Sequence, residues 1–332
     1  MAGSTRLEHP LILHESPDFY LELLQAAATR RGIPAVYVEK DYWITQVLKR
    51  LHESDHKETV VLKGGTALSK AHQIIERFSE DIDFALRNKQ AFGDSRRRKL
   101  MKAVEATVTQ DLEYKQGHPL ESKHGSFRKT AHAFPIHSDS TGLGQVASTI
   151  LVEINAFAEP NPAKMMPVVS LVGEHLEAVD QGDLIHEFGL RPFNILVLSV
   201  ERTLCEKIMG LVRAGYEKDP LDDFRRRIRH VYDIAMILRY GEYRDFLRSE
   251  AFPELLERAK ASDRQTMPNA SVWLDPPLGE AMIFANTEEL WTSIRREFHG
   301  NFRDMVYGDK LHSDDEVVET IALIRNALPS GN

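Results

Sequence analysis

Cysteine occurs once, at Cys205, so the chain can form no internal disulfide and is expected in a reducing compartment, the cytoplasm. Long apolar runs are missing too: none approaches the roughly 20 residues needed to cross a bilayer, and no membrane association is expected. The opening residues, MAGSTRLEHPLILHES, lack the charged start, apolar block and small-residue cleavage site of a secretory leader. The fourteen histidines include no H-E-x-x-H pair and no Cys/His spacing, which argues against a zinc centre. There is no serine or cysteine nucleophile motif, no internal repeat and no low-complexity tract.

The 332 residues that remain to be explained are 42% hydrophobic and 28% charged, ordinary values for a chain that buries a substantial core in one large or two smaller domains. A formal net charge of −8 argues against indiscriminate coating of nucleic acid. Two local basic clusters run against that balance: Arg96, Arg97, Arg98, Lys99 and Lys102, and then Arg225, Arg226, Arg227, Arg229 and His230. Each alone reads equally well as a solvated helix face; together they favour contact with an RNA backbone.

Hydrophobic spacing gives the coarse order of elements. Helices are expected in the first fifty-five residues, a buried strand over Thr59–Leu62, a helix from Ala67 to Phe78, and a second strand from Ile82 to Leu86. A helix follows over Ser95–Leu112, then a polar stretch from Lys115 to Gly144 without clear pattern. Strands are expected at Val146–Ala158 and Pro167–Leu171. After Phe193 the pattern turns helical, over Ser199–Ala214, Asp222–Leu238, Tyr243–Lys260, Leu278–Phe298 and Ser313–Leu328, with Asp222 and Ser313 at capping positions. Strands and helices followed by helices alone imply an α+β fold, divided at residues 1–192 and 193–332.

The most informative stretch runs from Lys63 to Phe84, KGGTALSKAHQIIERFSEDIDF. Gly64, Gly65 and Thr66 open a helical segment, where small residues allow close approach and the first free N–H groups attract anions. They are expected to hold the β- and γ-phosphates of a triphosphate, Thr66 through its hydroxyl, with Lys63 at the head of the turn. Asp81 and Asp83 stand at i and i+2 of a strand and therefore present two carboxylates on one face. Hard cations such as Mg²⁺ take such oxygen ligands together with substrate phosphates. A phosphate cradle beside paired carboxylates is the apparatus of nucleotidyl transfer, with two Mg²⁺ ions orienting an NTP. Glu153, in the strand pattern Leu151-Val152-Glu153-Ile154-Asn155, is the natural third acid, since an unpaired buried charge there would be costly and a metal resolves the cost. An outward-facing charge on a half-exposed strand is the alternative.

These motifs resemble the AbiEii/AbiGii-type nucleotidyltransferase toxins, including the mycobacterial MenT group, within the polymerase-beta-like superfamily. KGGTAL, RFSEDIDF and the lead-in Glu39-Lys40-Asp41-Tyr42-Trp43 carry the likeness, which extends to about Leu238. Fifteen residues separate Gly65 from Asp81, more than the generic superfamily spacing, a length the toxin branch tolerates. The resemblance implies a polymerase-beta-like core with a small mixed sheet, and a helical C-terminal domain closing the cleft. It also implies that Lys207 and Asp233, on later helices, complete the site: Lys207 neutralising charge on the phosphates, Asp233 positioning or deprotonating the attacking hydroxyl. By wheel position alone, Lys207 sits at the margin of an apolar face, and Asp233 reads equally as an i,i+4 partner of Arg229 on a solvated face. Lys40 and Asp41 are weaker candidates, and Tyr42 and Trp43 read as core aromatics.

The function so implied is transfer of NMP from an NTP to an RNA acceptor, the tRNA 3′ end, by a toxin of a type IV-like toxin–antitoxin or abortive-infection system with a separately encoded antitoxin. Two rivals stand beside it: a transferase acting on a small molecule or protein side chain, and a nucleotide-binding module without turnover. Retention of Asp81, Asp83 and Glu153 together speaks against the second.

Overall fold

The computed structural model describes residues 10–79, 81–87, 93–138, 148–157, 159–308 and 311–329. Its strands are β1 (Val60–Lys63), β2 (Asp81–Leu86), β3 (Glu113–Tyr114), β4 (Ser122–His124), β5 (Phe127–Ala133), β6 (Thr149–Asn155), β7 (Ala163–Val168) and β8 (Phe193–Leu198). They join in one sheet of order β3-β5-β6-β2-β1-β8-β7, with β4 also paired to β5. The sheet is mixed: β2 and β6 run parallel, as do β1 and β8, while the remaining pairs are antiparallel. The expected α+β class is thus observed.

Strand alternation separates the two faces. Leu62, Ile82, Phe84, Val152, Ile154 and Val197 point into an apolar core built with the helices Pro17–Arg31, Ala35–Glu53 and Asp94–Val108. The residues between them, Asp81, Asp83 and Glu153 among them, point to the opposite face. A second apolar core begins at Val200 and takes in the helices Val200–Ala214, Ile228–Leu238, Ala251–Thr266, Thr287–His299 and Asp314–Ala327. Leu68, Ile74 and Ile75 reach into it from the KGGT segment. The division expected between residues 192 and 193 falls one strand early, because β8 lies inside the sheet between β1 and β7. No helix among the described residues is long and apolar enough to cross a membrane.

Several local expectations need correction. The helix expected over Ala67–Phe78 is short: one turn at Gly64–Thr66 continues as a π-helical turn over Ala67–Ala71 and stops. Gln73 then adopts φ 54°, and the chain runs extended alongside Met305–Tyr307. Phe78 donates its N–H to the Met305 carbonyl (2.9 Å), and its ring packs on Tyr37 and Tyr307. Tertiary pairing here overrides helical spacing. The polar stretch Lys115–Gly144 holds β4 and β5, hidden because Arg128, Lys129 and His132 break the apolar alternation. Val146, Ala147 and Ala158, the ends of one expected strand, and residues 139–144 of the polar stretch lie outside the described residues. The strand expected at Pro167–Leu171 is instead β7, ending at Val168, followed by a helix at Leu171–Ala178 whose first turn is capped by Ser170. The Asp222–Leu238 helix breaks at Arg227, and its cap is Asp219, whose carboxylate accepts the Asp222 N–H (3.1 Å). Ser313 does form a capping box with Glu316.

Lys40, Asp41, Tyr42 and Trp43 are all buried in the helix Ala35–Glu53. Asp41 serves structure: one oxygen accepts from Lys70 Nζ (2.6 Å) and the other from the Leu171 N–H (2.7 Å), fixing the turn after KGGT against two helices. Removing this carboxylate strands a largely buried ammonium, which typically costs about 3–5 kcal/mol. Asp41→Ala is therefore expected to lose stability on that scale in equilibrium urea unfolding; a loss below about 1 kcal/mol, the worth of an exposed pair, would show that the bridge holds nothing in place.

Candidate active site

The register of four adjacent strands builds the site. Lys63 on β1 stands opposite Asp83 on β2, Asp83 opposite Glu153 on β6, and Glu153 opposite Lys129 on β5. These four side chains form one row across the sheet, on the face away from the N-terminal helices, and Asp81 lies two residues before Asp83 on the same face. The row opens into a cavity of about 300 Å³ whose wall includes Gly64, Gly65 and Ser79. Seven cationic side chains line it (Lys63, Arg77, Lys129, Lys207, Arg213, Arg227 and Arg229) against four carboxylates (Asp81, Asp83, Glu153 and Glu206), an excess suited to a polyanion.

Glycine is required at the turn. Gly64 has φ +72°, and a Cβ there would run into the Asp83 carboxylate. A Cβ on Gly65 would come within 2.7 Å of Arg77 Nη2 and 2.9 Å of Ser79 Oγ. Only bare backbone lets the turn sit directly over the acids. Thr66 departs from its expected part: it is buried, and its hydroxyl donates to the Asp81 carbonyl (2.5 Å), tying the turn to β2 instead of facing the cavity.

The carboxylates are crowded. Burial, and the negative charge of Asp81, push the Asp83 carboxyl above its usual range against the pull of Lys63. Burial and Asp83 push Glu153 up to about 7. Lys129 Nζ lies 3.3 Å from Asp81 Oδ2 and 3.7 Å from Glu153 Oε2, and Arg229 Nη2 lies 3.8 Å from Asp81 Oδ2. Burial opposes the charge on Lys129, yet Asp81 and Glu153 hold its ammonium above the ordinary range. Among the described residues no group of three His, Cys, Asp or Glu side chains converges as a metal cage. The donor chemistry nevertheless fits a hard divalent cation: two desolvated carboxylates face one another across β2 and β6, Asp83 raised by burial and Asp81, Glu153 by burial and Asp83, and a cation between them would relieve both.

Below this row lies a buried ion cluster. Asp233 has no exposed surface; Arg77 grips both its oxygens (2.7 Å each), and Lys207 Nζ lies 2.6 Å from Oδ2. The alternative of a solvated pair with Arg229 is overturned. Burial opposes ionisation of Asp233, but Arg77 and Lys207 outweigh it and hold the carboxyl below its usual range. Burial lowers Lys207, with Asp233 opposing. Lys207 therefore carries its charge inward from the helix margin. Lys63, beside the acids, pairs with Glu206 at 3.5 Å, and Arg202 Nε holds the other Glu206 oxygen at 3.1 Å.

Arg77, Lys129, Glu206 and Arg229 were not identified as site residues from sequence. Arg77 opens RFSEDIDF and Glu206 adjoins Lys207, so both sat beside residues already singled out. Lys129 gave no local signal. Of the two basic clusters, only the second contributes to this cavity, through Arg227, Arg229 and His230; Arg226 is exposed and pairs with Asp222.

With that geometry in place, comparison with known proteins is informative. The family model described as "Nucleotidyl transferase AbiEii toxin, Type IV TA system" matches residues 46–320. No curated protein matches the chain. Among solved structures the chain is similar to MenT4, nucleotidyltransferase toxin Rv2826c from Mycobacterium tuberculosis H37Rv, with 16% identity over 87% of this chain and 92% of that one, at a TM-score of 0.34.

Two outcomes follow from the charges. Asp233→Ala leaves two buried cations unpaired and is expected to cost about 3–5 kcal/mol in chemical unfolding; an unchanged midpoint would contradict the buried cluster. Glu153 binds its proton more tightly folded than unfolded, so without added metal it should erode stability as pH rises from about 4.5 to about 7. In Glu153→Gln that part of the pH dependence should vanish, as read from unfolding midpoints across the window; identical slopes in both proteins would refute the raised carboxyl.

Proposed function

The chain belongs to the AbiEii family of nucleotidyltransferase toxins of type IV toxin–antitoxin systems, and from that premise we propose that it transfers NMP from an NTP to the 3′ end of an RNA, tRNA in particular, in a Mg²⁺-dependent reaction. The observation that carries this reading is the row Lys63, Asp83, Glu153 and Lys129, set beside a glycine turn in a cation-rich cavity. The acceptor hydroxyl attacks the α-phosphorus and releases its proton to solvent, the bond from that phosphorus to the oxygen bridging the β-phosphate breaks, and pyrophosphate leaves.

Each side chain has a share in this scheme. Backbone N–H groups at Gly64 and Gly65 cradle the terminal phosphates, with Lys63 and Lys207 offsetting their charge. Asp81, Asp83 and Glu153 would hold two Mg²⁺ ions, which when bound neutralise charge on the attacking and leaving oxygens. Asp233 has both oxygens engaged, so its fitting role is to position Lys207 and Arg77, while a base role would require those bonds to break first. Arg227 and Arg229 line the cavity next to the exposed Arg225, a path on which an RNA backbone can be followed in from solvent. Modification of a tRNA 3′ end blocks aminoacylation and so halts translation, which accounts for toxicity and for a separate antitoxin.

The test is incubation with each α-labelled NTP, Mg²⁺ and total RNA, beside the double variant Asp81→Ala/Asp83→Ala. Label is expected in tRNA with the parent protein and to fall by at least about a hundredfold in the variant, the scale of losing transition-state charge stabilisation. Label confined to protein or to small molecules would favour the rival acceptors and sink the tRNA reading.

A further inference from the structure

The sheet face that carries the acids continues into a third row. Two residues beyond Asp83, Ala85 on β2 stands opposite Val61 on β1 and Asn155 on β6, and Asn155 stands opposite Phe127 on β5. Three successive rows on one face thus begin with Asp81, Asp83 and Ala85, spanning roughly 13 Å at about 3.3 Å per residue. The first carries the Asp81 carboxylate beside Leu151 and Ala131, the second is charged throughout, and the third is apolar apart from one amide.

Over that third row lies a second chamber of about 270 Å³. It shares Lys63, Glu153, Glu206 and Arg213 with the charged cavity, so the two compartments meet along one wall. Its remaining lining is mixed: Phe127, Phe157, Met209 and Met267 form an apolar wall, while Asn155, Ser262 and Thr266 add neutral polar groups and Glu159 and Asp263 add carboxylates, the latter held by Arg213 at 2.5 Å. The Phe127 and Phe157 rings are parallel, with centroids 5.6 Å apart, and His124 stacks behind Phe127 at 5.2 Å. Small Ala85, almost fully buried, keeps the floor open. The glycine turn lines only the charged cavity and the aromatic rings only the second chamber, with the acids between. A ligand filling both would be anionic at one end, and at the other would offer a flat face to the rings and a polar edge to the remaining lining.

We propose that this chamber takes the base and ribose of the incoming nucleoside triphosphate, whose phosphates extend across the acids towards Gly64 and Gly65. The proposal rests on the nucleotidyl-transfer reading and assigns its substrate an orientation. Aromatic side chains bind any base through its π-face, while the Asn155 amide both donates and accepts and is placed to read a base edge. Met209 and Met267 adapt to the outline of the ring.

Calorimetric titration in Mg²⁺ buffer with ATP, GTP, CTP and UTP, and with inorganic tripolyphosphate, tests this on the intact protein. Phe157→Ala removes a ring and Ala85→Leu fills the floor; neither touches the acids. Each is expected to weaken binding of the preferred NTP about tenfold or more, the scale of one lost base stack, with tripolyphosphate affinity unchanged and Phe157→Tyr retaining nucleotide affinity. Should Ala85→Leu fail to fold, Phe157→Ala decides. Unaltered NTP affinity in the variants overturns the proposal, as does equal weakening of tripolyphosphate. A rise confined to the KM for RNA would give the chamber to the acceptor and also overturn it. If the parent protein binds none of the four nucleotides, the nucleotidyl-transfer reading itself fails, a result separate from all of these.

Discussion

Everything at this site follows from the in-register pairing of β1, β2, β6 and β5. Strand alternation sends Ile82 and Phe84 into the helical core and sends Asp81 and Asp83 the other way. A slip of β2 by one residue would bury Asp81 and Asp83 among apolar side chains and turn Ile82 and Phe84 out of the core. The apolar face thereby fixes the polar one: packing on one side of the sheet sets where charge stands on the other. Gly64 then brings the chain back over Asp83 at a distance no side chain permits.

The second organising interaction is Asp233 with its two cations. Arg77 comes from the segment before β2, Lys207 and Asp233 from separate helices of the second core, so one carboxylate joins the strand that carries the acids to the helices facing them. Removing three charges from water is expensive, and such clusters are weak contributors to net stability. Their value here is geometric, because a cation anchored at one end by an ion pair projects its remaining donors in a fixed direction.

How much of this was legible in the sequence varies with how local the signal is. Asp81 and Asp83 sit two apart in an apolar strand, and period two alone places both on one face. Glu153, flanked by Val152 and Ile154, declared itself in the same way. Gly64 and Gly65 announced a turn. Lys129 was invisible because its strand is unusually polar and its meaning comes only from pairing with Glu153 across β6. By wheel position Asp233 reads equally as a surface partner of Arg229, since a helical wheel records distance from the apolar stripe and not a buried arginine arriving from 156 residues away. The Ala67–Phe78 helix failed for a related reason: the Met305–Tyr307 segment claims its backbone groups.

The place of β8 has a practical side. It is an interior strand, parallel to β1 and antiparallel to β7, and the chain passes from it through Ser199 into the helix bearing Glu206 and Lys207. A fragment ending at residue 192 would retain Asp81, Asp83 and Glu153 and yet leave β1 as a raw sheet margin, its amides and carbonyls open to whatever strand came by. Dissection of this protein into working halves is therefore foreclosed by its topology, and any surgery that spares the acids must carry β8 along with them.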